Sequence, residues 1–97
     1  MSYVLHISSR AEADIAAAYD WYQARRAGLG TEFVATVEAV IMRVQDSPQL
    51  FRIRWGRHRL AMMPRFPYAI YFIWSETTSF VSIRRVLHLA KNFRGQL

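Results

Sequence analysis

Seven consecutive residues, Tyr68 to Trp74 (Tyr-Ala-Ile-Tyr-Phe-Ile-Trp), are apolar at both odd and even positions. A strand exposes alternate side chains to opposite faces, so a run of this kind needs cover above and below and a neighbour on either side. It predicts the central strand of a sheet, and the rest of the chain must supply what surrounds it. Arg57 to Met63, ended by Pro64, reads as one neighbour, and Phe80 to His88, reached through a turn at Ser75 to Ser79, as the other. Tyr3 to Ile7, rich in aromatic and branched residues, predicts a first strand. Gln49 to Gly56, an arginine-aromatic stretch, is compatible with a loop or an edge strand.

Cover comes from two segments with helical spacing. Ser9 and Glu12 form a Ser-x-x-Glu capping box, and Ile15, Ala18, Tyr19 and Tyr22 then recur at one face of a helix that stops at Gly28, with Asp14 and Arg25 on its opposite side. Phe33, Val37, Val40, Ile41 and Val44 make a second stripe, ended at Asp46-Ser47-Pro48 because proline disfavours helical geometry in the residue before it. A link as short as Gly28 to Gly30 makes the two helices antiparallel neighbours. The expected fold is α+β in the order β-α-α-β-β-β, a helical hairpin packed on a largely antiparallel four-stranded sheet, in one domain over residues 1–97. Leu89 to Leu97 reads as a short mobile tail.

Charge divides the chain. Residues 1–48 hold four basic and six acidic groups, whereas residues 49–97 hold nine basic groups and Glu76 alone. Eight of those nine are arginine, whose planar fork binds phosphate and carboxylate bidentately, so the second half predicts a polyanionic or acidic partner. There is no cysteine, which excludes a disulfide framework and a thiolate metal site. The start lacks the pattern of a signal peptide and no apolar run approaches membrane-spanning length, so a cytoplasmic protein without membrane contact is expected. His6, His58 and His88 are far apart in sequence with no i, i+4 pair, so neither a metal nor another cofactor is expected.

Four groups of residues together resemble the RelE/ParE toxin superfamily, often labelled plasmid-stabilisation proteins. They are Ala11-x-x-Asp14-Ile15 with Trp21-Tyr22, Gly28-Leu29-Gly30 with Phe33, Phe66-Pro67-Tyr68 with Ile70-Tyr71, and Arg85-Val86-Leu87-His88. The resemblance spans nearly the whole chain and implies a cognate acidic antitoxin that blocks the toxin's working surface. It also implies one of two actions, since RelE-like members cut messenger RNA in the ribosome and ParE-like members poison DNA gyrase. RNA cleavage by the 2′-OH needs a base, a cation for the phosphorane and an acid for the leaving oxygen. RelE-like toxins place part of that set in the C-terminal segment, which here reads Leu-Ala-Lys-Asn-Phe-Arg-Gly-Gln-Leu, without tyrosine or carboxylate side chain. The ending is therefore more similar to the ParE branch.

The first reading is thus a ParE-like toxin that inhibits gyrase by binding. The alternatives are a ribosome-dependent endoribonuclease and a non-toxic relative that only binds an antitoxin. A nuclease would draw on His88, the side chain that titrates near neutrality, with Arg59, Arg65 or Arg84 holding the phosphate; otherwise His88 caps a strand end. Contacts to target or antitoxin are expected from Arg57, Arg59, Arg65, Arg84, His88, Lys91, Arg94 and an exposed Trp55. Trp21, Tyr22, Tyr68 and Trp74 read as core or as an antitoxin groove. Strict alternation places Arg84 with Ser82 and His88 on a polar face, and Arg85 on the other among Val81, Ile83 and Leu87. Buried there, Arg85 needs a carboxylate partner near the helices.

Overall fold

The computed structural model describes residues 3–97, and so all the predicted first strand. Its elements are β1 (Val4–Ile7), α1 (Ser9–Arg25), α2 (Leu29–Asp46), a 3₁₀ turn at Pro48–Leu50, β2 (Ile53–Trp55), β3 (His58–Met62), β4 (Tyr68–Ser75), β5 (Phe80–His88) and a last 3₁₀ turn at Phe93–Gly95. The sheet has five strands in the order β1-β5-β4-β3-β2, so the α+β class and element order hold while the expected count of four does not. The additional strand is β2, from the ambiguous arginine-aromatic stretch. It joins β3 through a turn at Gly56, where φ is +57°, and sits at the sheet edge with an irregular register. β1 runs parallel to β5, the helical hairpin carries the chain from β1 to β2 at the opposite edge of the sheet, and the other pairs are antiparallel.

The central strand is β4, flanked by β3 and β5. Its Ile70 and Phe72 pack with Val81, Ile83 and Val86 of β5 against Ala11 and Ala18 of α1 and Phe33, Val37, Val40, Ile41 and Val44 of α2. The whole predicted stripe of the second helix is buried. Its Phe33 ring stacks on Tyr22 and meets Phe66 and Tyr68 edge-on, so the aromatic cluster joins both helices to the start of β4. Complete burial of Phe33 makes its truncation worth about 3–5 kcal/mol.

Both helix starts differ from the expectation by about one residue. Ser8, not Ser9, caps α1: its Oγ accepts from the Ala11 N–H at 3.1 Å and donates to the Arg84 carbonyl at 2.8 Å. Ser8 also makes the last ladder bond to Ile83, so the strand ends where the helix is capped, and two adjacent serines hid which one does so. The interhelical turn ends at Gly28, with φ +90°, and Gly30 already lies in α2. A Cβ at Gly30 would stand 2.7 Å from the Tyr19 carbonyl oxygen, which is why a glycine is needed inside the helix. The Gln23 Oε1 accepts from the N–H groups of both Gly28 and Gly30, closing the hairpin.

Candidate functional site

Sheet register assigns each candidate to a face. On the outer side, away from the helices, His6, Ser82 and Ile73 share one row, Arg85, Tyr71 and Leu60 the next, and Leu87, Ala69 and Met62 a third. Opposite Tyr71 and Phe72 of β4, β5 carries Arg85 and Ile83, leaving Arg84 as the extra residue of a bulge. The bulge resets the alternation. Val81, Ile83 and Val86 face the helices, while Arg85 falls on the outer side with Leu87. Arg84 and His88 therefore do not share a face, contrary to strict alternation.

Arg85 has the expected carboxylate, supplied by Asp14 of α1, which sequence periodicity had placed on the helix's far side. Beyond Ile83 the short β1 no longer covers the edge of β5, and Asp14 stands there instead. Its Oδ2 accepts from Arg85 Nε at 2.7 Å and from the Val86 N–H at 2.9 Å, and its Oδ1 accepts from Arg85 Nη2 at 2.9 Å. Those hydrogen bonds from the guanidinium push the Arg85 pKa further above its already high value. Arg85 Nη1 also donates to the carbonyl and side-chain oxygen of Gln96, tying the tail to the strand.

The tail is packed rather than free. Phe93 stacks on Tyr71 with ring centroids 5.6 Å apart, meets Trp55 edge-on, and lies under the Arg54 guanidinium at 4.3 Å. With Leu97 and Leu60 it covers a second, smaller apolar cluster of Ala69, Tyr71 and Leu87 on the outer face. Burial raises the Tyr71 pKa, with Arg54 opposing. Trp55 is exposed as expected and stacks on His58 at 6.3 Å.

The remaining cations divide. Arg59 pairs across the ladder with Phe72, so it faces the helix side; its Nη1 donates to the Phe51 carbonyl and its guanidinium lies 5.0 Å from the Trp74 ring. Arg65, at φ +70°, binds Glu32 at 2.6 Å, and with Arg26 it lowers the Glu32 pKa. Lys91 lines a groove of about 550 Å³ along α1 with Asp14, Trp21, Tyr22, Tyr68 and His88. There His88 Nδ1 accepts from the Ala90 N–H at 3.0 Å and its ring meets Tyr68 edge-on; no hydrogen bond or ion pair joins it to a carboxylate among the described residues. Arg94 is exposed, its guanidinium 5.7 Å from Phe93.

Of the predicted set, Arg57 and Arg84 join Trp55 around one group, His58, which sequence reasoning did not single out. Burial depresses the His58 pKa first, and repulsion from Arg84 and Arg57 adds to it against a backbone hydrogen bond at Trp55. His58 shares a small concavity with Ser8, Arg10, Arg84, Arg85 and Gln96. The available signal was alternation from Leu60 and Met62, which puts His58 on the same outer face. Among the described residues no cluster of histidine and carboxylate groups is arranged to hold a metal.

A helical hairpin thus covers one side of a mixed five-stranded sheet and the tail covers part of the other, an α+β architecture. Residues 5–93 match the family described as the ParE toxin of type II toxin-antitoxin systems, parDE, and the chain belongs to that family: it is a type II toxin. Curated protein sequences give no match. Among solved structures, a chain of the toxin–antitoxin complex RelBE2 from Mycobacterium tuberculosis superposes with TM-score 0.65 at 17% identity, covering 91% of this chain and 99% of that one. A chain of the chromosomal ParDE TA system from P. aeruginosa gives TM-score 0.66 at 18% identity, covering 90% and 96%. At such identities the likeness establishes the shared fold.

Proposed function

We propose that this toxin arrests growth by binding DNA gyrase in the cytoplasm and that a cognate acidic antitoxin holds it inactive. The observation carrying the first part is the separation of the groups a nuclease would use. His88 lies on the helix side beside Tyr68, Arg84 on the outer face, Arg59 against Trp74, and Arg65 in an ion pair with Glu32. One scissile phosphate cannot touch a base, a cation and an acid so dispersed. Membership of the ParE family supports the same reading. The antitoxin reading draws on the two solved neighbours, both from toxin–antitoxin systems. It also draws on the groove at Trp21, Tyr22 and Lys91, whose apolar walls and cation suit an amphipathic acidic segment.

Purified toxin added to a gyrase supercoiling reaction is expected to block supercoiling and accumulate broken DNA. Unaltered supercoiling without stabilised breaks overturns the proposal. Cuts in ribosome-bound message, mapped by primer extension and lost in His88→Ala, would replace it with the endoribonuclease reading.

A further inference from the structure

The outer face carries a charge arrangement that scaffold needs do not explain. Arg84 sits at the extra position of the β5 bulge, exposed, with only the Ser82 hydroxyl as a side-chain hydrogen-bond partner among the described residues, at 3.4 Å. On one side of it Ser82 meets His6 Nδ1 at 3.3 Å; on the other stands His58, at the start of β3. Arg10 and Arg84 line the same concavity as His58, and Arg57 adjoins His58 in sequence. Among the described residues none of these three arginines has a carboxylate partner, whereas Arg26, Arg65 and Arg85 each have one. Unpaired like charges gathered around a half-buried histidine repel one another, and an anion between them reverses that cost.

We propose that Arg84, Arg57, Arg10 and His58 form a binding site for a backbone phosphate of nucleic acid. The concavity, about 40 Å³, takes one compact oxyanion, not a side of a helix. Its lining carries the Ser8 hydroxyl, the His58 ring and the guanidinium forks of Arg10, Arg84 and Arg85, with Gln96 and Leu97 of the tail completing it, and the forks suit bidentate contact with phosphate oxygens. Cations continue from it along the sheet edge through Arg54 and Arg52. A line of that kind matches a phosphate backbone, which repeats its charge every few ångströms, better than a single acidic side chain. The site stands apart from the α1 groove, so an antitoxin seated in the groove leaves it open. It does not depend on which enzyme the toxin targets, since DNA or RNA alone should occupy it.

Two measurements on the full chain test this. In an NMR titration with inorganic phosphate, the His58 ring is expected to shift saturably and its protonation midpoint to rise, because a bound anion offsets the repulsion from Arg84 and Arg57. In fluorescence anisotropy with a short labelled duplex, Arg84→Gln and His58→Gln should each weaken binding about fivefold or more, and Arg84→Gln should lower the salt slope by about 1. Arg43→Gln, which removes an exposed cation from α2, serves as the control and should bind as the parent does. Thermal melts confirm that each variant folds. Equal losses in Arg84→Gln and Arg43→Gln overturn the site. So does polyglutamate that binds as tightly as the duplex, which would make it a receptor for protein carboxylates. Because neither measurement contains gyrase, the site and the gyrase reading can fail separately.

Discussion

Asp14→Ala is expected to be among the most damaging single substitutions outside the core. It removes three hydrogen bonds at once, two from the Arg85 guanidinium and one from the Val86 N–H, at 2.7–2.9 Å. The side chains of Asp14 and Arg85 are only 13% and 9% exposed, so water cannot fully replace the lost carboxylate. Breaking a buried pair by deleting one partner costs about 3–5 kcal/mol, and the orphaned Val86 N–H belongs to the same loss. Against a total of about 5–15 kcal/mol for a domain of this size, roughly 4 kcal/mol removes a large share. Urea unfolding with a slope of roughly 1–2 kcal/mol/M should place the midpoint about 2–4 M lower. Asp14→Asn with Arg85→Met removes both charges while keeping an acceptor for Val86, and should recover to within about 2 kcal/mol of the parent. A loss below about 1 kcal/mol in Asp14→Ala would refute the reasoning, as would a double variant that merely sums the two single losses.

Three further outcomes follow from the geometry. Gly30→Ala should destabilise by about 1–3 kcal/mol in the same unfolding assay, because its Cβ meets the Tyr19 carbonyl oxygen at 2.7 Å; unchanged stability would show that the helices separate at no cost. The His58 pKa is lowered in the fold, so the unfolded chain binds more protons and stability is lost as pH falls below the ordinary histidine value of about 6.5. His58→Gln should flatten that part of the stability profile, and an unchanged slope would show that His58 does not supply it. Phe93→Ala should release the tail, giving faster amide exchange in β5 near Arg85 and brighter or shifted Trp55 emission; protection equal to the parent would show that the Arg85–Gln96 bonds suffice.

What the sequence disclosed and what it concealed follow from the range of the forces involved. The α2 stripe, the two-faced apolar run of β4 and the antiparallel hairpin were legible because burial of one face imposes a local period on the chain. The partner of Arg85 was legible as a necessity, a carboxylate near the helices, because a buried guanidinium cannot stand alone. Its identity was not, since Asp14 reads as solvent-facing until β1 proves too short to cover the end of β5. Parity failed at a single point, Arg84, where a bulge adds one residue that no periodicity announces. That one residue decides how charge is distributed. It turns Arg85 outward and around the open edge to Asp14, leaves Arg84 beside His58 with no carboxylate partner among the described residues, and sends His88 to the helix side, away from both. Net charge counts these arginines alike. The fold separates them into one that holds the edge of the sheet together and one left facing whatever anion the outer face meets.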